Sequence, residues 1–178
     1  DIFHNAAKGS GNWSLKINFF KNAILNLKTN FYFLTTGKFE HRDIDYEIYT
    51  WNTKRNNKIK EGDLFIYRIP QKSSPNKKFY FFGAGQIGSI FQPKKGDPQY
   101  SREGDICAKI VNPIHFDHPI YESVLLPSDL GLSKDNWGHA FNEYGIDQIT
   151  LEKFLFLLNK GTGKDFNFKF DDNQIQTK

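Results

Sequence analysis

A single cysteine and no methionine occur in 178 residues, and these scarcities remove whole classes of chemistry. One thiol cannot build a disulfide framework or a cysteine-based zinc site, because both need several. Cys107 falls in the apolar run 106–111 and is expected to be a small buried hydrophobe. No run approaches the roughly 18 uninterrupted apolar residues of a membrane span, and the start lacks the basic, apolar, small-residue order of a secretory signal. A soluble, cytoplasmic protein with no membrane partner is therefore expected. The chain starts at Asp1 with no Met anywhere, so it is expected to be an excised or processed part of a longer protein. Missing too are a Gly-x-Ser-x-Gly elbow and a nuclease arrangement with a strand-borne acid two residues before a lysine. Carboxylate pairs such as Asp43 with Asp45, or Asp171 with Asp172, are too common to carry weight. Nothing in this pattern demands catalysis: no catalytic residue, metal ligand or cofactor is assigned, and a binding module is expected.

What is abundant is aromatic, with 18 Phe and 8 Tyr, and these favour a pleated, half-buried surface over a helical bundle. The length suits one domain with one sizeable core. Ile17, Phe20, Ile24 and Leu27 recur at the spacing of one helical face and predict an amphipathic helix that ends at Thr29 and Asn30. Strands are predicted at 31–34, 64–69, 79–90 and 105–111, with a loop at 38–45 and a polar excursion with two prolines at 70–76. Pro113 and Pro119 place His115, Asp117 and His118 in a turn, Gly131 permits a reversal, and Thr150 caps a last helix that presents Leu151, Phe154, Leu155 and Leu158 and ends at Gly161. Residues 1–160 are read as the domain. Residues 161–178, with alternating Phe166, Phe168 and Phe170, are read as a C-terminal tail, an edge strand or a linker.

Charge is uneven. Between residues 54 and 78 stand Lys54, Arg55, Lys58, Lys60, Arg68, Lys72, Lys77 and Lys78 against only Glu61 and Asp63, so one stretch holds more net positive charge than the +4 of the whole chain. Beside it lie Tyr46, Tyr49, Trp51 and Asn52, which joins cations suited to phosphates with flat rings suited to bases. A protein that inspects one base takes it out of the stack, holds its faces between rings and reads its edge with hydrogen-bonding groups. Trp51, Tyr46, Tyr49 and Phe82 are candidates for the faces; Asn52, Asp45, Thr35 and backbone amides near Gly37 are candidates for the edge. Lys38, Lys54, Arg55, Lys58, Lys72, Lys77 and Lys78 are the candidate phosphate ligands.

Two other patterns compete for attention. Gly83 to Gly88 spell G-x-G-x-x-G, but in a dinucleotide fold that loop opens a helix, and Pro93, Gly96 and Pro98 leave no room for one. The glycines are read instead as points where a strand bends or a ligand approaches. His115, Asp117 and His118 resemble a metal cluster only in composition, since further ligands and a fixed geometry are needed.

The order of four short motifs resembles the EVE domain of the PUA-like superfold: FYFLTTGKF (31–39), YTWNTKRNN (49–57), IKEGDLFIY (59–67) and FFGAGQI (81–87), closed by YGIDQITLEKFLFLL (144–158). The front helix and the 70–76 loop lie outside that pattern. The resemblance implies an α+β fold, a PUA-like, EVE-like twisted β-barrel with flanking helices. It further implies a reader similar to SRA and YTH domains, binding double-stranded DNA and taking a flipped modified base, 5-methylcytosine or a relative, in an aromatic pocket. Such domains serve modification-dependent restriction systems, so a nuclease domain in the full-length protein is implied as well. The alternatives are an RNA reader of the same superfold for N6-methyladenosine or structured RNA, a small metal-dependent enzyme using His115, Asp117 and His118, and a protein-interaction module.

Overall fold

A computed structural model describes residues 10–37 and 42–166. They form an α+β fold in which a six-stranded sheet curls into half a barrel, with two helices laid against one of its faces. Helix α1 is Ser10–Leu25 and helix α2 is Leu151–Thr162. The strands are β1 (Phe31–Thr35), β2 (Ile48–Asn52), β3 (Leu64–Ile69), β4 (Tyr80–Phe91), β5 (Asp105–Tyr121) and β6 (Ile146–Ile149), in the spatial order β2-β5-β4-β3-β1-β6. Among these neighbours only β1·β3 is a parallel pair; the others are antiparallel.

Side-chain alternation along the strands builds two cores from one sheet. On the helix side, Phe33, Leu64, Ile66, Phe81, Ile114 and Phe116 meet Phe20 and Ile24 of α1 and Phe154, Leu157 and Leu158 of α2. On the concave side, Tyr32, Leu34, Tyr49, Trp51, Phe65, Tyr67, Ile87 and Ile110 pack on one another. This explains why β3 is buried at almost every position and reads as a continuous apolar run rather than an alternating one. The helical face of α1 is as its spacing predicts for Ile17, Phe20 and Ile24, but Leu27 lies past the helix end and is exposed.

Two features keep β4 and β5 pairable along their lengths. The β4 glycines stand where a side chain would collide: a Cβ at Gly83 would sit 2.0 Å from Tyr46 Oη, one at Gly85 2.6 Å from the Phe65 ring, and one at Gly88 2.9 Å from the Lys109 carbonyl. The G-x-G-x-x-G run is thus strand throughout, and no helix follows it. Its partner β5 continues ten residues beyond Val111, to Tyr121, so Pro113, His115, Asp117, His118 and Pro119 belong to a strand, not a turn. Both prolines fall where the register shifts, between the Gln86–Val111 and Ala84–Ile114 pairs and between the Gly83–His115 and Phe81–Ile120 pairs, so the ladder loses no needed donor there.

At the end of the chain, the Thr150 hydroxyl accepts the Lys153 N–H and caps α2. The helix runs through Thr162, past the expected boundary at 160, and stops at Gly163 with φ 70° rather than at Gly161. Phe168 and Phe170 lie outside the described residues; Phe166 packs on the helix-side core. No helix among the described residues is long and apolar enough to cross a membrane.

Candidate functional site

Among the described residues the half-barrel has two edges, because β2 pairs only with β5 and β6 only with β1. Side chains tie the β2 side to the end of β1, the neighbour of β6: Tyr49 Oη donates to the Thr35 carbonyl at 3.0 Å and Thr36 Oγ1 donates to Asp45 at 2.9 Å. Where this seam stays open lies a cavity of about 500 Å3, lined by Arg42, Tyr49, Thr50, Trp51, Asn52, Arg55, Ser101, Arg102, Asp105, Glu143, Tyr144 and Ile146. A second hollow of about 380 Å3 adjoins it, lined by Asn52, Lys54, Arg55, Arg102, Glu103 and Tyr144.

The floor is aromatic. Tyr49 and Trp51 project from the same face of β2 with their rings stacked at 6.2 Å, and both are almost wholly buried. The Trp51 indole N–H is fixed by the Asn56 carbonyl at 3.1 Å. Burial holds the Tyr49 hydroxyl well above the usual phenol range, so it stays protonated and can keep donating across the seam. The rim is basic and aromatic: the Arg55 guanidinium lies 3.6 Å over the ring of Tyr144, which is 46% exposed, and Arg42 and Arg102 stand on the same opening.

One wall is a rigid turn. Asp105 accepts the Asn52 side-chain amide at 3.0 Å and the Ser101 and Arg102 backbone N–H groups at 2.8 and 3.0 Å. Burial disfavours the charged form, yet these bonds outweigh it and leave the Asp105 carboxyl below its ordinary pKa. Asn52 also donates to the Glu103 carbonyl and accepts the Lys54 N–H, so its amide N–H groups hold the turn while its side chain lines both hollows.

The structure therefore brings together Tyr49, Trp51, Asn52, Lys54 and Arg55 from the expected set. It does not bring Tyr46, Phe82, Thr35 or Asp45 to the cavity lining. Thr35 is fully buried, with its hydroxyl accepting from Arg68 at 3.1 Å, and Tyr46 and Phe82 belong to another aromatic row on the concave face. Lys58, Lys72, Lys77 and Lys78 are exposed but line neither hollow, and Lys38 lies outside the described residues. His115, Asp117 and His118 sit on β5, and no group of three His, Cys, Asp or Glu side chains among the described residues could hold a metal.

The sequence reading missed Arg42, Arg102 and Tyr144. A signal for the second of these was present: Glu103-Gly104-Asp105 repeats Glu61-Gly62-Asp63, and each triplet leads into a strand. In both, the glycine takes a positive φ, 96° and 93°, and the Asp carboxylate reaches back to the backbone N–H three residues earlier. The second copy sets Arg102 at the mouth of the seam.

No protein-family model matches the chain, and no curated protein matches it. Among solved structures, a crystal structure of an Agrobacterium tumefaciens protein, determined as a structural-genomics target, aligns with 81% of this chain and 100% of its own length, at 16% identity and a TM-score of 0.49.

Proposed function

We propose that this chain is a PUA-like, EVE-like binding module that takes one extruded, modified base of double-stranded DNA into the seam between β2 and β6. The observation that carries the reading is the coincidence, in one opening, of an aromatic floor and a guanidinium rim. Tyr49 and Trp51 border a cavity of about 500 Å3 whose mouth bears Arg42, Arg55, Arg102 and the exposed ring of Tyr144. That volume is within the range of small-ligand sites, and the ring-plus-cation lining is what a flipped nucleotide requires: faces for the base and charge for the flanking phosphates. The motif order supplies the rest of the proposal, that the base is 5-methylcytosine or a relative and that the module gives specificity to a restriction nuclease.

The test is a titration of matched duplexes, plain and carrying 5-methylcytosine or N6-methyladenine, with RNA of the same sequence in parallel, at several salt concentrations. Preference for one modified duplex supports the reading; equal affinity for modified and plain DNA removes the modified-base claim, and preference for RNA moves the module to the RNA-reading alternative. Arg55→Ala and Arg102→Ala should each weaken all duplexes and reduce the salt slope by about 1. Tyr144→Ala is the cleaner stacking probe, because Trp51 is buried and its removal would cost about 3–5 kcal/mol of fold stability as well.

A further inference from the structure

The seam leaves unused much of what the sequence singled out, namely Tyr46, Phe82 and the lysines of the 70–78 loop. They are gathered at the other end of β5 from Asp105. Tyr80 and Tyr121 are directly paired in the β4·β5 ladder, with ring centroids 5.1 Å apart. Phe82, two residues along the same face, has its ring 6.2 Å from Tyr80 and stacks on Tyr67 at 5.0 Å and 7°. Tyr46 continues the row 5.9 Å from Phe82, and His115 lies against it at 3.9 Å. The helices pack on the opposite face of the sheet, and among the described residues this end of the concave face keeps accessible surface: Tyr80, Phe82 and Tyr46 are half-buried, His115 is exposed and Tyr121 is 39% exposed.

Positive charge frames the row. Lys77 and Lys78 directly precede Phe79 and Tyr80, Lys72 is on the short turn Gln71–Ser73 of the same loop, and all three are exposed. Two of the carboxylates near the row are hydrogen-bonded to neutral groups, Glu122 to the Phe79 N–H and the Gln71 amide and Asp45 to the Thr36 hydroxyl, and neither forms an ion pair with Lys72, Lys77 or Lys78. A flat aromatic row beside three exposed lysines suits a polyanion whose own units are flat, and suits neither a second copy of a chain with net charge +4 nor an apolar helix.

We propose that this row is a stacking platform for a single-stranded nucleic-acid segment, with bases on Tyr80, Phe82 and Tyr121 and phosphates on Lys72, Lys77 and Lys78. It is separate from the seam cavity, which lies at the opposite end of β5, and it does not depend on the reading given to that cavity. Stacking on such rings tolerates any base, so the platform grips strand without reading sequence.

Anisotropy titration of a labelled oligothymidylate against the whole chain tests it, in parallel with modified and plain duplexes. Tyr80→Ala with Tyr121→Ala should lower single-strand affinity at least tenfold, whereas Tyr80→Phe with Tyr121→Phe should retain it, because the ring and not the hydroxyl does the stacking. Lys77→Gln with Lys78→Gln should flatten the salt slope by about 1.4, two single-strand phosphates. Tyr144→Ala in the seam should leave oligothymidylate binding unchanged while altering duplex binding, so failure at one site is distinguishable from failure at the other. The platform is overturned if the parent chain does not bind oligothymidylate, or if the double alanine variant binds it within twofold of the parent.

Discussion

Gly161 shows how packing overrules propensity at a single position. It occupies the last turn of α2, where alanine would be favoured by about 1 kcal/mol. A Cβ there would stand 2.3 Å from the Phe116 ring, closer than any real contact, and both partners are buried. Overpacking of this kind costs about 1–3 kcal/mol, so the collision wins. Gly161→Ala should therefore lower the urea midpoint by the equivalent of about 1 kcal/mol net; an increase would mean that the Phe116 ring moves aside freely. The same logic ties Gly83 to Tyr46. Tyr46 holds φ at 66°, uncommon for an aromatic residue, while its hydroxyl donates to the Phe82 carbonyl and its N–H donates to Tyr67 Oη. Gly83→Ala would drive a methyl into that hydroxyl, and the expected result is loss of the Tyr46 ring from its place on His115, seen as a shift of the His115 ring protons in NMR.

At the scale of elements, the seam is the weak joint of the fold, since β2 is held by one ladder and a few side-chain bonds. Tyr49→Phe deletes the hydroxyl that spans from β2 to Thr35 at 3.0 Å. A buried hydrogen bond contributes about 0.5–1.5 kcal/mol, so the midpoint should fall modestly. Amide exchange should quicken in β2 while the central β3 and β4 amides keep their protection; uniform loss across the sheet would show that β2 is not a separate unit. Legibility follows the same division. β1, β3 and β4 and both helices were readable because each buries a face whose period, or whose unbroken apolar run, is printed in the chain. β2 was not read as a strand, because Tyr49, Trp51 and Asn52 were weighed as site residues rather than as alternating positions. β5 was cut short at Val111 because a proline ordinarily ends a strand. Nothing local announces that Pro113 and Pro119 fall where the register against β4 shifts, a property of the pairing and not of β5 alone.

For the whole molecule, the site was only partly legible because a seam is a property of closure: Arg42, Arg102 and Tyr144 come from three distant segments that meet only when the sheet curls. The same curling buries phenols, and it yields a prediction at this scale. Tyr32, Tyr46, Tyr49 and Tyr67 all lie on the concave face, and burial raises each above the ordinary phenol value of 10, Tyr32 to about 12 with help from Asp63. A phenol whose folded pKa exceeds its unfolded one favours the fold fully while protonated, that is, below pH 10. That contribution is then lost as pH climbs through the folded value. Stability should thus be level on approach to pH 10 and fall steeply above it, with phenolate absorbance of the buried set appearing in one step together with loss of the far-ultraviolet circular dichroism signal. Tyr32→Phe should move that transition to higher pH, because one of the groups driving it is gone. If phenolate absorbance rises to completion while the circular dichroism stays native, the concave face is open to solvent and its rings are not the sealed floor that the seam cavity requires.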